Sequence, residues 1–331
     1  MKQANKIVVS GMRPTGRLHL GHFHGVLENW LELQKLHTCY FFVADWHALT
    51  TEYQTPNNLF NFSQEMVLDW LALGLDPNQA TLFIQSHIPE HAELHLLLAM
   101  LTPISWLERV PSYKELKMEL KDKDLSTYGF LGYPLLQTAD VAIYKADYVP
   151  VGQDQVAHLE LAREVIRRFN FLYGQEILKE CQPLLTKTQK LLGLDNRKMS
   201  KSYDNCIYLS DDAATIQKKM SVAITDPARV RRTDSGNPDV CNVFSYHKIY
   251  SPVQEVAEVD KECRRAGIGC MDCKKKVSHN IIKFLEPTWQ KRAELQKDKH
   301  FVMDILEKGA KQARSYAQET LHEVNKAMKL G

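Results

Sequence analysis

The sequence predicts an α/β fold, a doubly wound parallel sheet covered by helices and followed by a mostly helical C-terminal domain. Short β-branched or aromatic runs alternate with longer helical patterns through the first half of the chain. After Ser202 the pattern turns helical. The length of 331 residues suits about two domains, and 44% hydrophobic with 25% charged residues is an ordinary globular composition.

In chain order, residues 7–10, 40–44 and 81–85 read as strands, and 147–151 as a shorter fourth. Residues 20–36, 61–73 and 92–101 read as the helices between them. Such βαβ alternation gives a Rossmann-like sheet that binds ligands at the carboxyl ends of its strands. Residues 103–127, with Pro103, Pro111 and a dense charge run from Lys114 to Asp124, read as an exposed insertion. Asp211 and Asp212 open a helix that runs to Met220. Val302, Ile305, Leu306, Ala313, Tyr316, Ala317, Leu321 and Val324 space out one long amphipathic helix at the C-terminus. The expected division is 1–205 for the sheet domain and 206–331 for the helical one, with the boundary near 203–212.

Charge is unevenly placed. Residues 1–210 carry 20 Lys+Arg against 23 Asp+Glu, and residues 211–331 carry 22 against 17, so the overall +2 hides a basic second part. That asymmetry fits a nucleic-acid partner. No apolar run reaches the roughly 20 residues needed to span a bilayer, and none of signal-peptide length precedes the first strand. A cytoplasmic protein is expected.

Two short strings carry the chemistry. Gly16-Arg17-Leu18-His19-Leu20-Gly21-His22 falls at a strand-to-helix junction, where free backbone N–H groups favour an anion. Lys198-Met199-Ser200-Lys201-Ser202 puts two lysines and two hydroxyls on a loop able to fold over a polyphosphate. An imidazole pair and a lysine pair are the groups needed to hold ATP while its α-phosphate is attacked. The glycine spacing of residues 11–18 is that of a Walker A loop, but the Lys-Ser/Thr ending is missing, and no G-x-G-x-x-G follows a strand. A P-loop NTPase and a dinucleotide oxidoreductase are therefore disfavoured. Gly152-Gln153-Asp154 follows the fourth strand, where a glycine lets backbone approach a nucleotide and the polar pair can bind ribose hydroxyls.

Asp140 stands in an otherwise apolar segment, which is expensive unless a donor meets it; the bland alternative is a carboxylate on a helix surface. Four of the seven cysteines form Cys241-x21-Cys263-x6-Cys270-x2-Cys273. Four soft ligands suit tetrahedral zinc or an iron–sulfur cluster, and spacing alone does not choose between them. Cys39, Cys181 and Cys206 are isolated. Lys261, Arg264, Arg265, Lys274, Lys275 and Lys276 surround the four-cysteine window, either as a solvated face or as a contact to an RNA backbone.

The His-x-Gly-His and Lys-Met-Ser-Lys-Ser pair resembles the signatures of class I aminoacyl-tRNA synthetases. The stretches 133–140, 149–158, 85–89 and 223–226 are similar to the tryptophanyl branch. The resemblance implies ATP and Mg²⁺ use, formation of tryptophanyl-adenylate, transfer to tRNA(Trp), a homodimer and a C-terminal domain engaging the anticodon end. It implies that His19, His22, Lys198 and Lys201 are catalytic. Arg13, Pro14, Thr15, Gly21, His22, Gly152, Gln153, Asp154, Leu191 and Lys198 to Ser202 form the implied ATP site. Asp140 then accepts the indole N–H, Tyr133 and Gln137 line the pocket, and Gln155 helps hold the amino group. A [4Fe-4S] cluster on Cys241, Cys263, Cys270 and Cys273 follows from resemblance to a subgroup with a C-x22-C-x6-C-x2-C pattern, zinc being the lesser alternative. Two departures stand out: Arg13 replaces a frequent glutamine, and His19 and His22 replace the Thr and Asn of many bacterial relatives. A tyrosyl enzyme, a non-catalytic RNA-binding paralogue and a small-molecule adenylyltransferase are the rival readings.

Overall fold

The computed structural model describes residues 5–111, 124–185, 191–298 and 300–330, with the side chain of Asp154 left out. Contacts group the chain into two compact units, one of Met1–Gly16, Glu28–Lys187 and Asp298–Gly331, the other of Arg17–Leu27 and Thr188–Lys297.

The first unit is built on a five-stranded sheet of order β3-β2-β1-β4-β5, with β1 Ile7–Met12, β2 Thr38–Val43, β3 Ala80–Ile84, β4 Tyr148–Val151 and β5 Gln182–Leu185. Every pairing is parallel, running from Ile7↔Thr38 to Met12↔Val43 on one side of β1 and through Val8↔Tyr148 on the other. The central runs Val8-Val9 and Cys39 to Val43 are buried on both faces, the reason they read as continuous apolar stretches rather than alternating ones. Strand order reverses between β1 and β4, so their carboxyl ends frame the crevice where such sheets bind ligands. Residues 13–16 leave β1 there and Gly152–Gln155 leave β4.

Four of the five strands match their sequence positions within two or three residues. β5 does not announce itself: it is four residues long, carries Pro183, and lies at the sheet edge, where a missing N–H is tolerated. The pattern over 20–36 is not one regular helix. It breaks into Leu20–His22, a π-helical stretch Phe23–Leu27, and Glu28–Leu33. Within the second unit, the His24 ring Nε2 lies 2.8 Å from the Tyr250 hydroxyl and the Phe23 ring meets Phe284 edge-on, contacts that hold the widened turn. Of the insertion expected over 103–127, residues 112–123 lie outside the described residues; on either side Leu107, Val110 and Leu125 are buried.

The long C-terminal helix Phe301–Ala327 forms as expected, but it packs on β3 and on the helices Leu59–Leu73 and Glu90–Ala99 of the first unit. Sequence order alone puts it with the helices after 206, whereas contacts group Asp298–Gly331 with the sheet. Leu306, Ala310, Ala313, Ala317, Leu321 and Val324 make its buried stripe, and Gly309 brings its backbone against the Leu82 carbonyl. The second unit packs Ala213–Ser221, Asn242–Tyr250 and Val253–Arg264 with the long helix Cys270–Leu295. Asp212 caps Ala213–Ser221 by accepting from the Thr215 N–H at 2.8 Å, as the Asp-Asp start implied. Among the described residues no helix is long and apolar enough to cross a membrane.

Gly309 gives a test with a diagnostic sign. Helix propensity alone predicts that Gly309→Ala stabilises by about 1 kcal/mol. A Cβ there would run into the Leu82 carbonyl oxygen, so the expected result is destabilisation by about 2 kcal/mol or more, read from the urea midpoint. A stabilised variant would show that helix and sheet are not so closely packed.

Candidate active site

In the first unit, Tyr133, Gln137 and Asp140 sit at i, i+4 and i+7 of helix Tyr128–Ala142, on one face. The Asp140 carboxylate is 2% exposed, yet it is far from alone. Its Oδ1 accepts from Gln85 Nε2 at 2.7 Å and from His91 Nδ1 at 2.7 Å, and its Oδ2 from His47 Nε2 at 2.8 Å. Burial by itself would raise this carboxyl pKa. The hydrogen bonds and favourable potential of His47 and His91 outweigh that and hold it well below the ordinary value. An ionised carboxylate only accepts, so His91 carries its proton on Nδ1; its Nε2, 2.7 Å from the Tyr144 hydroxyl, then accepts from it. Burial pushes the Tyr144 pKa up, so the hydroxyl keeps the proton it donates. Among the described residues Oδ2 has one donor, His47, and keeps capacity for a second.

The sequence isolates Asp140 but does not supply its partners. His47 belongs to the helix after β2, Gln85 follows β3, and His91 opens the next helix, so only the sheet brings them together. Gln85 falls within the 85–89 stretch used for the resemblance, which gave it no role. Tyr133 packs its ring 5.5 Å from that of His158, on the helix Val156–Tyr173 that follows Gln155. At the end of β1, an Arg13 terminal nitrogen donates to Thr51 Oγ1, while its Nε is buried without a hydrogen-bond partner among the described residues.

In the second unit the two signature strings lie together. Leu20 N–H donates to the Ile207 carbonyl at 3.0 Å, Leu209 N–H to the Leu18 carbonyl at 2.9 Å, and His19 bridges Tyr208 in antiparallel fashion. The Met199 thioether caps the Gly21 N–H at 3.3 Å. The rings of His19 and His22 lie 3.7 Å apart. His22 Nδ1 accepts from the His19 N–H at 3.1 Å, so in the neutral ring the proton is on Nε2. Burial, with Lys201 nearby, lowers the His19 pKa to about 4, and burial with His19 and Lys201 lowers that of His22 well below the ordinary value. At neutral pH the pair are uncharged donors; positive charge at this site comes from lysine.

Lys198 is exposed and Lys201 partly so, while Leu191 and Met199 are buried. Asn205, which the sequence reading missed, organises that loop. Its Oδ1 accepts from the Ser200 N–H at 2.8 Å, and its Nδ2 donates to Asp195 at 2.7 Å and to the Lys198 carbonyl at 3.0 Å. Arg17 and Lys219 both pair with Asp211, at 2.9 and 2.7 Å, and both lie over the Tyr208 ring.

The four window cysteines are within electrostatic reach of one another. Burial raises the Cys273 thiol pKa to about 12, and Cys241, Cys263 and Cys270 each push it further up. An Arg229 nitrogen lies 3.7 Å from Cys263 Sγ, and His247 Nε2 lies 3.3 Å from Cys273 Sγ. Among the described residues no three His, Cys, Asp or Glu groups converge as a single-ion site. Of the basic residues beside them, Lys274 is turned inward: it is 9% exposed and donates to the Ser221 carbonyl at 2.8 Å. Arg264 pairs with Asp239 and Asp260, Arg265 with Glu262, and Lys276 with Glu258 at 3.3 Å; Lys261 and Lys275 are exposed. The run is a largely paired surface with one buried cation, not six displayed charges.

A parallel sheet of order 3-2-1-4-5 with joined His-x-Gly-His and Lys-Met-Ser-Lys-Ser segments defines a class of nucleotide-using ligases, and the relatives agree. The chain belongs to the family of class I tRNA synthetases for tryptophan and tyrosine, whose family model matches residues 1–286. Within it the chain falls on the tryptophanyl branch. It is 49% identical to a tryptophan–tRNA ligase of Thermotoga maritima, over 98% of this chain and 99% of that one, and 46% identical to one of Ralstonia nicotianae, over 98% of each. The Campylobacter jejuni tryptophanyl-tRNA synthetase, solved with ADP and tryptophan, superposes with a TM-score of 0.89 at 29% identity, covering 98% of this chain and all of that one.

The neutral histidines give a pH prediction. His19 titrates near 4 when folded, below the ordinary 6.5, so the folded state binds fewer protons between those values. Its contribution to stability is full above pH 6.5 and is lost as pH falls towards 4, on the order of 3 kcal/mol. Urea unfolding at a series of pH values should show this limb, flattened in His19→Gln. The same slope in the variant would contradict the assignment.

Proposed function

We propose that the chain is a tryptophan–tRNA ligase, which activates L-tryptophan with ATP to tryptophanyl-adenylate and transfers the amino acid to tRNA(Trp). The observation carrying this reading is an anionic, buried Asp140 with one acceptor position left, on a helix face shared with Tyr133 and Gln137. An indole needs one acceptor within an aromatic and apolar surround. A phenol would need its hydroxyl satisfied as donor and acceptor, which favours tryptophan over tyrosine.

In the first step the tryptophan carboxylate is its own nucleophile, so no general base is required. Catalysis is positioning together with stabilisation of charge on the α-phosphate and the leaving pyrophosphate. The neutral His19 and His22 donate N–H groups to phosphate oxygens, and Lys198 and Lys201 supply the countercharge, with Mg²⁺ accompanying the nucleotide. Pro14, Thr15, Gly21, Leu191, Met199, Ser200 and Ser202 complete the ATP contacts. Gly152, Gln153 and Asp154 take the ribose, and Gln155 the amino group of tryptophan. The protein acts as a cytoplasmic homodimer; the exposed Leu96, Met100 and Ile104 of the first unit support the pairing of two copies.

The four cysteines fit an all-thiolate group: they influence one another electrostatically, and Arg229 and Lys274 lie close enough to offset thiolate charge. Cys241, Cys263, Cys270 and Cys273 would hold a [4Fe-4S] cluster, in preference to zinc, and the group would serve as a staple for the helical segments that carry the exposed Lys261 and Lys275, with Arg264, Arg265 and Lys276 exchanging their acidic partners for the tRNA backbone.

Asp140→Asn should cut tryptophan-dependent pyrophosphate exchange by about 2–4 kcal/mol in transition-state stabilisation, because the amide presents an N–H where an acceptor is needed. Unchanged exchange, or faster exchange with tyrosine in the parent, would refute the pocket. For the cysteines, anaerobically purified protein should absorb broadly near about 400 nm with about four irons per chain, and Cys270→Ser should bleach it. The same variant should keep pyrophosphate exchange and lose tRNA charging. Colourless, zinc-loaded protein would exclude the cluster, and full charging by the variant would exclude the staple.

A further inference from the structure

Arg13 has surroundings unusual for a residue meant only to meet a triphosphate. It leaves the carboxyl end of β1 at the strand-order reversal, where the sheet binds its ligands. One terminal nitrogen donates to Thr51 Oγ1. Its Nε is buried and has no acceptor among the described residues. Burial lowers its pKa, against the favourable potential of Glu52 and Tyr133. A guanidinium that served only as a partner to Glu52 would be expected to offer Nε with a terminal nitrogen as a two-pronged fork. Here the Nε side of the fork is unused, which costs free energy unless an anion arrives.

The helix Asp45–Glu52 indicates where that anion would lie. Thr51 and His47 are one turn apart on the helix Asp45–Glu52, so the Arg13 and Asp140 ends of the crevice differ by about 6 Å along that axis. Five bonds separate the indole nitrogen of tryptophan from its carboxylate carbon, about 6 Å at ordinary bond lengths. That length matches the axial spacing of Thr51 and His47, so a tryptophan whose indole N–H is accepted by Asp140 Oδ2 can direct its carboxylate towards the Arg13 end.

We propose that Arg13 binds the α-carboxylate of tryptophan through Nε and a terminal nitrogen, and so aims the nucleophile, rather than serving as a contact to the ATP phosphates. This rests on the assignment of Asp140 to the indole. The fork holds the carboxylate in one plane and leaves the other lone pairs of its oxygens for attack on the α-phosphorus, a task for which glutamine offers a single neutral donor group.

Calorimetric titration of the full-length protein with tryptophan, with tryptamine (the same molecule without the carboxylate) and with ATP tests it. Arg13→Gln should raise the Kd for tryptophan by about 10- to 100-fold while tryptamine and ATP stay within about threefold. Arg13→Lys, which keeps the charge without the fork, should fall between parent and Arg13→Gln, and it serves if the glutamine variant is poorly folded. A larger loss for ATP than for tryptophan would return Arg13 to the phosphates. Equal losses for tryptophan and tryptamine would make its role structural, and no loss at all would remove it from the site. Asp140→Asn separates the two assignments, since it should weaken tryptophan and tryptamine together. If it spares tryptamine while Arg13→Gln behaves as described, the indole assignment fails and the carboxylate assignment stands.

Discussion

The ionised carboxylate of Asp140, buried and held by His47, Gln85 and His91, is the interaction on which the face proposed to bind tryptophan depends. Its three donors come from the segments that follow β2 and β3, so one side chain ties helix Tyr128–Ala142 to both. An unpaired charge at 2% exposure would cost several kcal/mol, and the donors offset that cost only if all of them are in place. Tyr144 extends the set by fixing the His91 tautomer, which makes the proton on Nδ1 a property of the fold. Preorganisation of this kind suits a pocket that must distinguish an indole from a phenol by one hydrogen bond.

The site proposed for ATP in the second unit meets a different electrostatic problem. Holding a triphosphate requires positive charge, yet a permanent buried charge without its ligand would be costly. The structure separates the two duties: His19 and His22 are buried and neutral, while the lysines stand on the more exposed loop. Asn205 and Asp211 are the polar residues that keep the loop and the His-x-Gly-His segment in shape, Asn205 by bonding three points around the loop and Asp211 by pairing with Arg17 and Lys219.

Much of this was legible in the sequence where the signal was local. The four expected strands follow from β-branched and aromatic runs, the Asp212 cap from its position, and the C-terminal helix from its 3.6-residue stripe. The signature strings were legible because their residue types, order and spacing are chemically unusual. What escaped reading is tertiary. Nothing near Asp140 in sequence names His47 or His91, Pro183 masks an edge strand, and Lys274 looks like its neighbours until a helix turns it inward. The C-terminal helix shows the limit most clearly, because its stripe reveals an apolar face but not that β3, more than two hundred residues earlier, is what it covers.

If the Asp140 network works as one unit, its members should be strongly coupled in tryptophan recognition. A double-mutant cycle of Asp140→Asn and His91→Asn, read as kcat/KM for tryptophan in pyrophosphate exchange, measures that coupling. The expected result is a double variant hardly worse than the more damaged single one, a coupling of about 1.5–3 kcal/mol. Losses that simply add would mean that His91 does not hold Asp140 for the substrate, and would contradict the central role given to this carboxylate.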